Sequence, residues 1–451
     1  MKKLMLICAP LTSRSGYGDH ARDLFYAFNR SGKYDIKVLD VRWGECPRDA
    51  LNPNNKKDKQ ILDCILPTPP QMDRQPDIYV DIRIPNEFET HGKFNIGITA
   101  GIETTAVSSK WLEGCNKMDL IIVPSGHSRS GFVKSIYDKV QNLPDGKQQK
   151  VGEFKLEKPI EVLFEGVDED VFKPIHVNDM SSAFFSKINE LVSEKFAFLF
   201  VGQWTKGGYG EDRKDIAKMI KVFYESFANK KKQPALILKT NGATFSIMDK
   251  EDILNKINQI KSMFPSDWKL PNVYLLHGDI SREELNELYN HPKIKSLVSF
   301  THGEGFGRPL LEASMTGLSV IASGWSGQTD FLNPNKSILL QGGFSKIPKS
   351  VVWNDILIPE SEWFNVDEQN AYKALNYAFE NQGEIKRKGE SLMHENREKF
   401  TLDKMADKLD EIMKKYSSNI PSQVKLNLPK LKKVNKSDAP KIKLPKLKRV
   451  G

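Results

Sequence analysis

Residues 303–317, GEGFGRPLLEASMTG, place two carboxylates, Glu304 and Glu312, eight positions apart with Gly305, Gly307 and Pro309 between them. A helical surface would space such a pair at three or four, and the glycines and proline forbid one continuous helix. Glu304 is therefore expected in a loop, with a helix beginning at Pro309, whose fixed φ suits a first helical position. KSLVSF (295–300) before the loop and LSVIAS (318–323) after the helix read as short buried strands, with Gly317 as the stop between. Strand, glycine loop, helix N-terminus and strand together offer backbone N–H groups to phosphate. Taken alone, Glu312 could equally be an acid favoured by the helix dipole. The basic pair Arg213–Lys214, after the glycine-rich loop 206–210, would alone read as the solvated first turn of a helix.

The elements that must position these residues alternate along the chain. KLMLICA, DIKVLD, DIYVDI, NIGIT, DLIIVPS and IEVLFEG read as strands of a first half, with HARDLFYAFNR and HSRSGFVKSIY as helices within it. EGVDEDVFKP (165–174) is a connector. FAFLFVG, PALILKT, NVYLLHG, IKSLVSF, LSVIAS and KSILL follow as a second set, with helices near 213–229, 249–263, 282–290 and 309–316. Alternation of this kind implies two parallel-sheet domains, with ligands held beyond the carboxyl ends of the strands and in the cleft between them. A chain of 451 residues is too long for one core.

Composition narrows the setting. No apolar run approaches a membrane span, and MKKLMLICAPLTS reads as a first strand rather than a secretory segment. Cys8, Cys46, Cys64 and Cys115 are scattered, which suggests a reducing, cytoplasmic compartment and no zinc site. The formal charge of +9 lies wholly in the tail: from Ser417 to Gly451 ten basic side chains face one acid, Asp438. Within it KLNLPKLKKV (425–434) recurs as KIKLPKLKRV (441–450), which points to docking on an anionic membrane surface or nucleic acid.

EGFGRPLLEASMTGLSVIAS, with WSGQTDFL after it, resembles the donor-site signature of glycosyltransferase family 4. SGYGDHAR resembles that family's first glycine loop, and IETTAVSSKWLEGCNKMDLIIVPSGHSRSGF the stretch before its domain boundary. LFEGVDEDVFKP resembles its connector, and FLFVGQW with DRKDI its phosphate-binding turn, so that the likeness runs from Lys2 to Tyr416. The resemblance implies an α/β protein of GT-B fold: two facing Rossmann-like domains with a cleft between them. They would span 1–175 on the acceptor side and 176–395 on the donor side, with a helix at 396–416 packing back on the first and a disordered basic tail at 417–451.

It also implies transfer of a hexose-type sugar from a nucleotide-diphosphate sugar to an acceptor hydroxyl, with retention of configuration and no metal or other cofactor. Breaking the sugar–phosphate bond leaves negative charge on the departing diphosphate. By residue-by-residue carry-over Arg213 and Lys214 would oppose that charge, helped by backbone at Gly305, Phe306, Gly307 and Leu310 and by Gly16 from the other domain. Glu304 would accept from donor-sugar hydroxyls and Glu312 from the ribose, one carboxylate for each end of the diphosphate. His20 and Glu103 would lie on the acceptor side, and His277 and Gly278 near the base. Gln203 stands where many members have arginine, and Gly101–Thr105 where many carry a histidine. Asp168-Glu169-Asp170 imitates a metal-binding triplet but sits in the connector and reads as structural. Two other readings fit the same residues: a DNA-modifying glucosyltransferase tethered by the tail, and a GT-B-like binding module without turnover.

Overall fold

The computed structural model describes residues 2–142, 147–180, 182–204, 207–242, 244–353 and 355–421. Its first half is built on β1 (Lys3–Ala9), β2 (Tyr34–Asp40), β3 (Ile78–Ile82), β4 (Phe94–Ile98) and β5 (Leu120–Val123). A separate antiparallel arm of β6 (Tyr137–Asn142) and β7 (Gln148–Phe154) follows, and β8 (Ile160–Val162) returns to the edge of the sheet. The six strands run parallel in the order β2-β1-β3-β4-β5-β8. Near-continuous aliphatic runs such as KLMLICA form these strands because helices cover both faces of a parallel sheet. Those helices are α1 (Gly16–Arg30), α2 (Lys56–Leu62), α3 (Ser109–Lys117) and α4 (Gly126–Lys134).

The second half repeats the plan. After α5 (Ala183–Leu191), six parallel strands stand in the order β11-β10-β9-β12-β13-β14. They are β9 (Ala197–Gln203), β10 (Ala235–Asn241), β11 (Val273–Leu276), β12 (Ile294–Ser299), β13 (Ser319–Ser323) and β14 (Ile338–Leu340). Between them lie α6 (Ile216–Phe227), α7 (Ile247–Lys261), α8 (Arg282–Asn290) and α9 (Arg308–Met315). A hairpin of β15 (Gly342–Lys346) and β16 (Glu362–Val366) leads to α10 (Glu368–Glu380) and α11 (Gln382–Lys399). Gly389 lets α11 lie against the turn after α9, where an added Cβ would fall 2.4 Å from the carbonyl oxygen of Gly317.

The last helix, α12 (Leu402–Lys415), crosses back to the first half. Met405, Leu409, Ile412 and Met413 repeat at helical spacing and bury into the same core as Leu24 and Phe28 of α1. The outward connector after β8 and this return lie side by side: Val167 N–H donates to Phe400 O, and Leu402 N–H donates to Val167 O.

The structure corrects the sequence reading in three places. α9 starts at Arg308 with Pro309 second, because Gly307 takes φ +100° and turns the chain one residue earlier. The pattern HSRSGFVKSIY is helical only to Lys134, after which the chain enters the unforeseen arm. Residues 417–421 do not belong with the tail: Ser417–Asn419 form a 3-10 turn and Ile420 is buried in the first core. The two basic repeats lie outside the described residues.

Candidate active site

Loops after β9 and β12 meet at the carboxyl ends of adjacent strands, and hydrogen bonds join them. His302 N–H donates to Arg213 O at 2.9 Å, and His302 Nδ1 lies 2.7 Å from Phe364 O, with its ring stacked on Trp363. Asp212, fully buried, accepts from the backbone of Lys214 at 3.1 Å and of Ile216 at 3.2 Å, which fixes the turn that opens α6. This turn aims Lys214 at Glu304. The Lys214 ammonium pairs with Glu304 Oε1, and Arg213 Nη1 stands 3.6 Å from Oε2. Burial would push the Glu304 carboxyl up, but Lys214 and Arg213 outweigh it and hold the group below the usual carboxylate range.

Arg213 also reaches Glu103 of the first domain at 2.9 Å, so the structure brings Glu103 into the same charged cluster. A small pocket lined by Lys214, Glu304, Gly307, Pro309 and Leu310 marks the meeting point. A larger groove of about 500 Å³ lies beside the β15–β16 hairpin, lined by Gln341, Asn365 and Lys373, and holds none of these residues.

The loop 303–307 is braced from behind. Glu304 N–H donates to Ser326 Oγ at 2.9 Å, Ser326 Oγ lies 2.8 Å from Gln328 Oε1, and Gln328 Nε2 donates to Ser323. In front, Ser125 Oγ of the first domain donates to Gly305 O at 2.6 Å. A Cβ at Gly305 would meet Ala100 O at 1.9 Å, so glycine there permits the two domains to approach. Phe306 and Leu310 turn their side chains into the core with Phe331, so they bring only backbone to the loop.

Glu312 projects from α9 and accepts from Arg308 Nε at 2.9 Å, while Arg308 Nη1 donates to Asp23 Oδ2 on α1 at 2.6 Å. Burial pushes the Glu312 carboxyl up despite Arg308. Glu165, buried just after β8, is pushed up to about 7 by burial and by Asp23, Asp19 and Glu312, against the pull of Arg308.

The remaining expected residues are dispersed. Gly16 is exposed at the first turn of α1 with open space around it, whereas Gly18 is sterically obliged: a Cβ there would fall 2.3 Å from Ser13 O. His20, expected on the acceptor side, is buried on α1. Burial and then Arg308 lower its pKa to about 3, so the ring is neutral. His277 pairs with Asp249 at 2.9 Å, and Gly278 O accepts from Lys239 at 2.7 Å. Their loop touches the first domain through the ion pair of Asp279 with Arg14. Sequence reasoning passed over Arg308, Asp23, Asp212 and Ser125. The spacing of Arg308 to Glu312, four apart on one helix, is the signal that could have found the first.

No protein-family model and no curated protein matches the sequence. Solved structures do resemble it. Sucrose-phosphate synthase from Thermosynechococcus elongatus aligns at a TM-score of 0.61 and 12% identity, over 93% of this chain and all of that one. Anabaena HepE, solved with UDP-glucose, aligns at 0.58 and 13% over 92% of this chain and all of its own. α,α-Trehalose 6-phosphate synthase from Burkholderia multivorans aligns at 0.56 and 10% over 93% and 100%. Two parallel-sheet α/β domains facing one another, matched along their whole length by these structures, give this chain the GT-B fold.

Proposed function

We propose that the protein is a glycosyltransferase that moves a hexose-type sugar from a nucleotide-diphosphate donor to an acceptor hydroxyl, with retention and without a metal. The observation that carries this reading is the convergence of Lys214, Arg213 and Glu304 beside the N-terminus of α9, with Glu103 facing them from the other domain. As the sugar–phosphate bond breaks, negative charge grows on the departing diphosphate. Two cations held in place by buried partners oppose it without the reorganisation that water would need. The dipole of α9 adds a partial positive charge at the helix N-terminus beside them. Glu304, kept ionised by Lys214, accepts from donor-sugar hydroxyls. Glu312 accepts from the ribose.

The donor is proposed as a nucleotide hexose because HepE was solved with UDP-glucose and two other fold neighbours are named as sugar-phosphate synthases. Melting the protein against UDP, ADP and GDP, free and as hexose conjugates, tests this. A ligand at a hundred times its dissociation constant adds about 2.7 kcal/mol of stability. Absence of stabilisation by all of them overturns the reading.

The basic repeats are proposed to hold the enzyme near an anionic acceptor, membrane surface or nucleic acid, through nine basic side chains and recurring Leu426, Leu428, Leu431 and Val434.

A further inference from the structure

We infer that Arg308 is a positioning residue that couples nucleotide engagement at Glu312 to closure of the two domains through Asp23. The inference rests on the glycosyltransferase reading above. Arg308 bridges a residue 285 positions away and one four positions away: its Nη1 donates to Asp23 on α1 at 2.6 Å and its Nε donates to Glu312 on α9 at 2.9 Å. All three side chains are nearly buried, at 12, 7 and 9% exposure for Arg308, Asp23 and Glu312. Asp19 and Glu165 add to the negative field around the guanidinium, and this pair is more deeply enclosed on both sides than the interdomain pairs Arg14–Asp279 and Arg213–Glu103.

A guanidinium is a rigid fork, so its two ends cannot be satisfied independently. With Asp23 in place the fork is fixed, and it holds Glu312 by Oε1, which directs the other carboxylate oxygen to accept from a diol. When the domains part, Asp23 leaves with α1. Arg308 then loses one of its two anchors, and although it stays beside Glu312 on α9 its guanidinium no longer fixes that carboxylate in one orientation. A ligand held by Glu312 therefore binds the closed arrangement more tightly than the open one, and by linkage it favours closure. Lysine in place of Arg308 would keep the charge but, as a single point donor, could not span both carboxylates.

The test uses the full chain and calorimetric titration of UDP, ADP and GDP. Asp23→Asn keeps the Arg308–Glu312 pair and takes the negative charge, and with it most of the strength, from the interdomain half. It is expected to weaken nucleotide binding by about tenfold, within the usual range of coupling between sites. Arg308→Lys should fall by a similar factor, and Asp23→Asn combined with Arg308→Gln should bind no more weakly than Arg308→Gln alone. In X-ray scattering, nucleotide-saturated Asp23→Asn should have a larger radius of gyration than the saturated parent. Parent-like affinity in both Asp23→Asn and Arg308→Lys, or fully additive losses in the double variant, overturns the coupling. A parent that binds none of the three nucleotides instead overturns the reading on which it rests.

Discussion

On the proposed reading, the charge of Lys214 matters most at the moment of bond breaking. Replacing it with alanine should lower turnover by roughly 10²- to 10³-fold, the scale for loss of one electrostatic donor. Donor affinity should change less, because the opposing charge is largest in the transition state. Steady-state kinetics separate the two effects. On the proposed reading the same cations take the place of a metal at the leaving group, so activity should persist in excess chelator; loss of activity restored by manganese would contradict this. Glu165 offers a test by pH. Its pKa is 4.5 ordinarily and about 7 in the fold, so across that interval the native chain holds a proton that the unfolded chain has released. Its contribution is fully favourable below about pH 4.5 and is lost as pH rises through 7, a difference of roughly 3 kcal/mol. Glu165→Gln should therefore gain on the parent in urea midpoint at pH 8 and match it near pH 5. Parallel profiles would show that the carboxyl is not protonated in the fold.

At the scale of elements, the close contact of α11 with the turn after α9 depends on a residue without a side chain. Gly389→Ala would drive a methyl group into backbone at Gly317 and Ser319, neither of which can rotate away. A loss of about 1–3 kcal/mol in thermal stability is expected, as for other overpacked contacts. The parallel strands were legible in the sequence because both of their faces are buried, so KLMLICA and FAFLFVG read as unbroken apolar runs. β6 and β7 were not, since YDKVQN and QQKVGEF are largely exposed and carry no such run. The loop holding Glu304 was legible from its glycines. Its exact join to α9 was not, because only the left-handed backbone of Gly307 decides it. The link from Arg308 to Asp23 was hidden for a different reason: local spacing says nothing about which helix of the other domain will face α9.

For the whole molecule, the corrected end of the folded chain changes how the basic tail should be examined. A cut after Tyr416 would remove buried Ile420 and disturb the first core, whereas a cut after Pro421 leaves that core whole. The shorter protein should keep its activity on a small soluble acceptor and lose salt-sensitive binding to anionic vesicles or to DNA. Equal binding by both lengths would leave the tail without a docking role. The return of α12 has a consequence for biosynthesis. A ribosome finishes every strand of the first sheet early, yet Met405, Leu409, Ile412 and Met413, which close its core, emerge only after the entire second domain has been made. The first domain to be synthesised must therefore be the later one to be completed, and while it waits the apolar side of α1 stands uncovered as a natural place for a chaperone to hold.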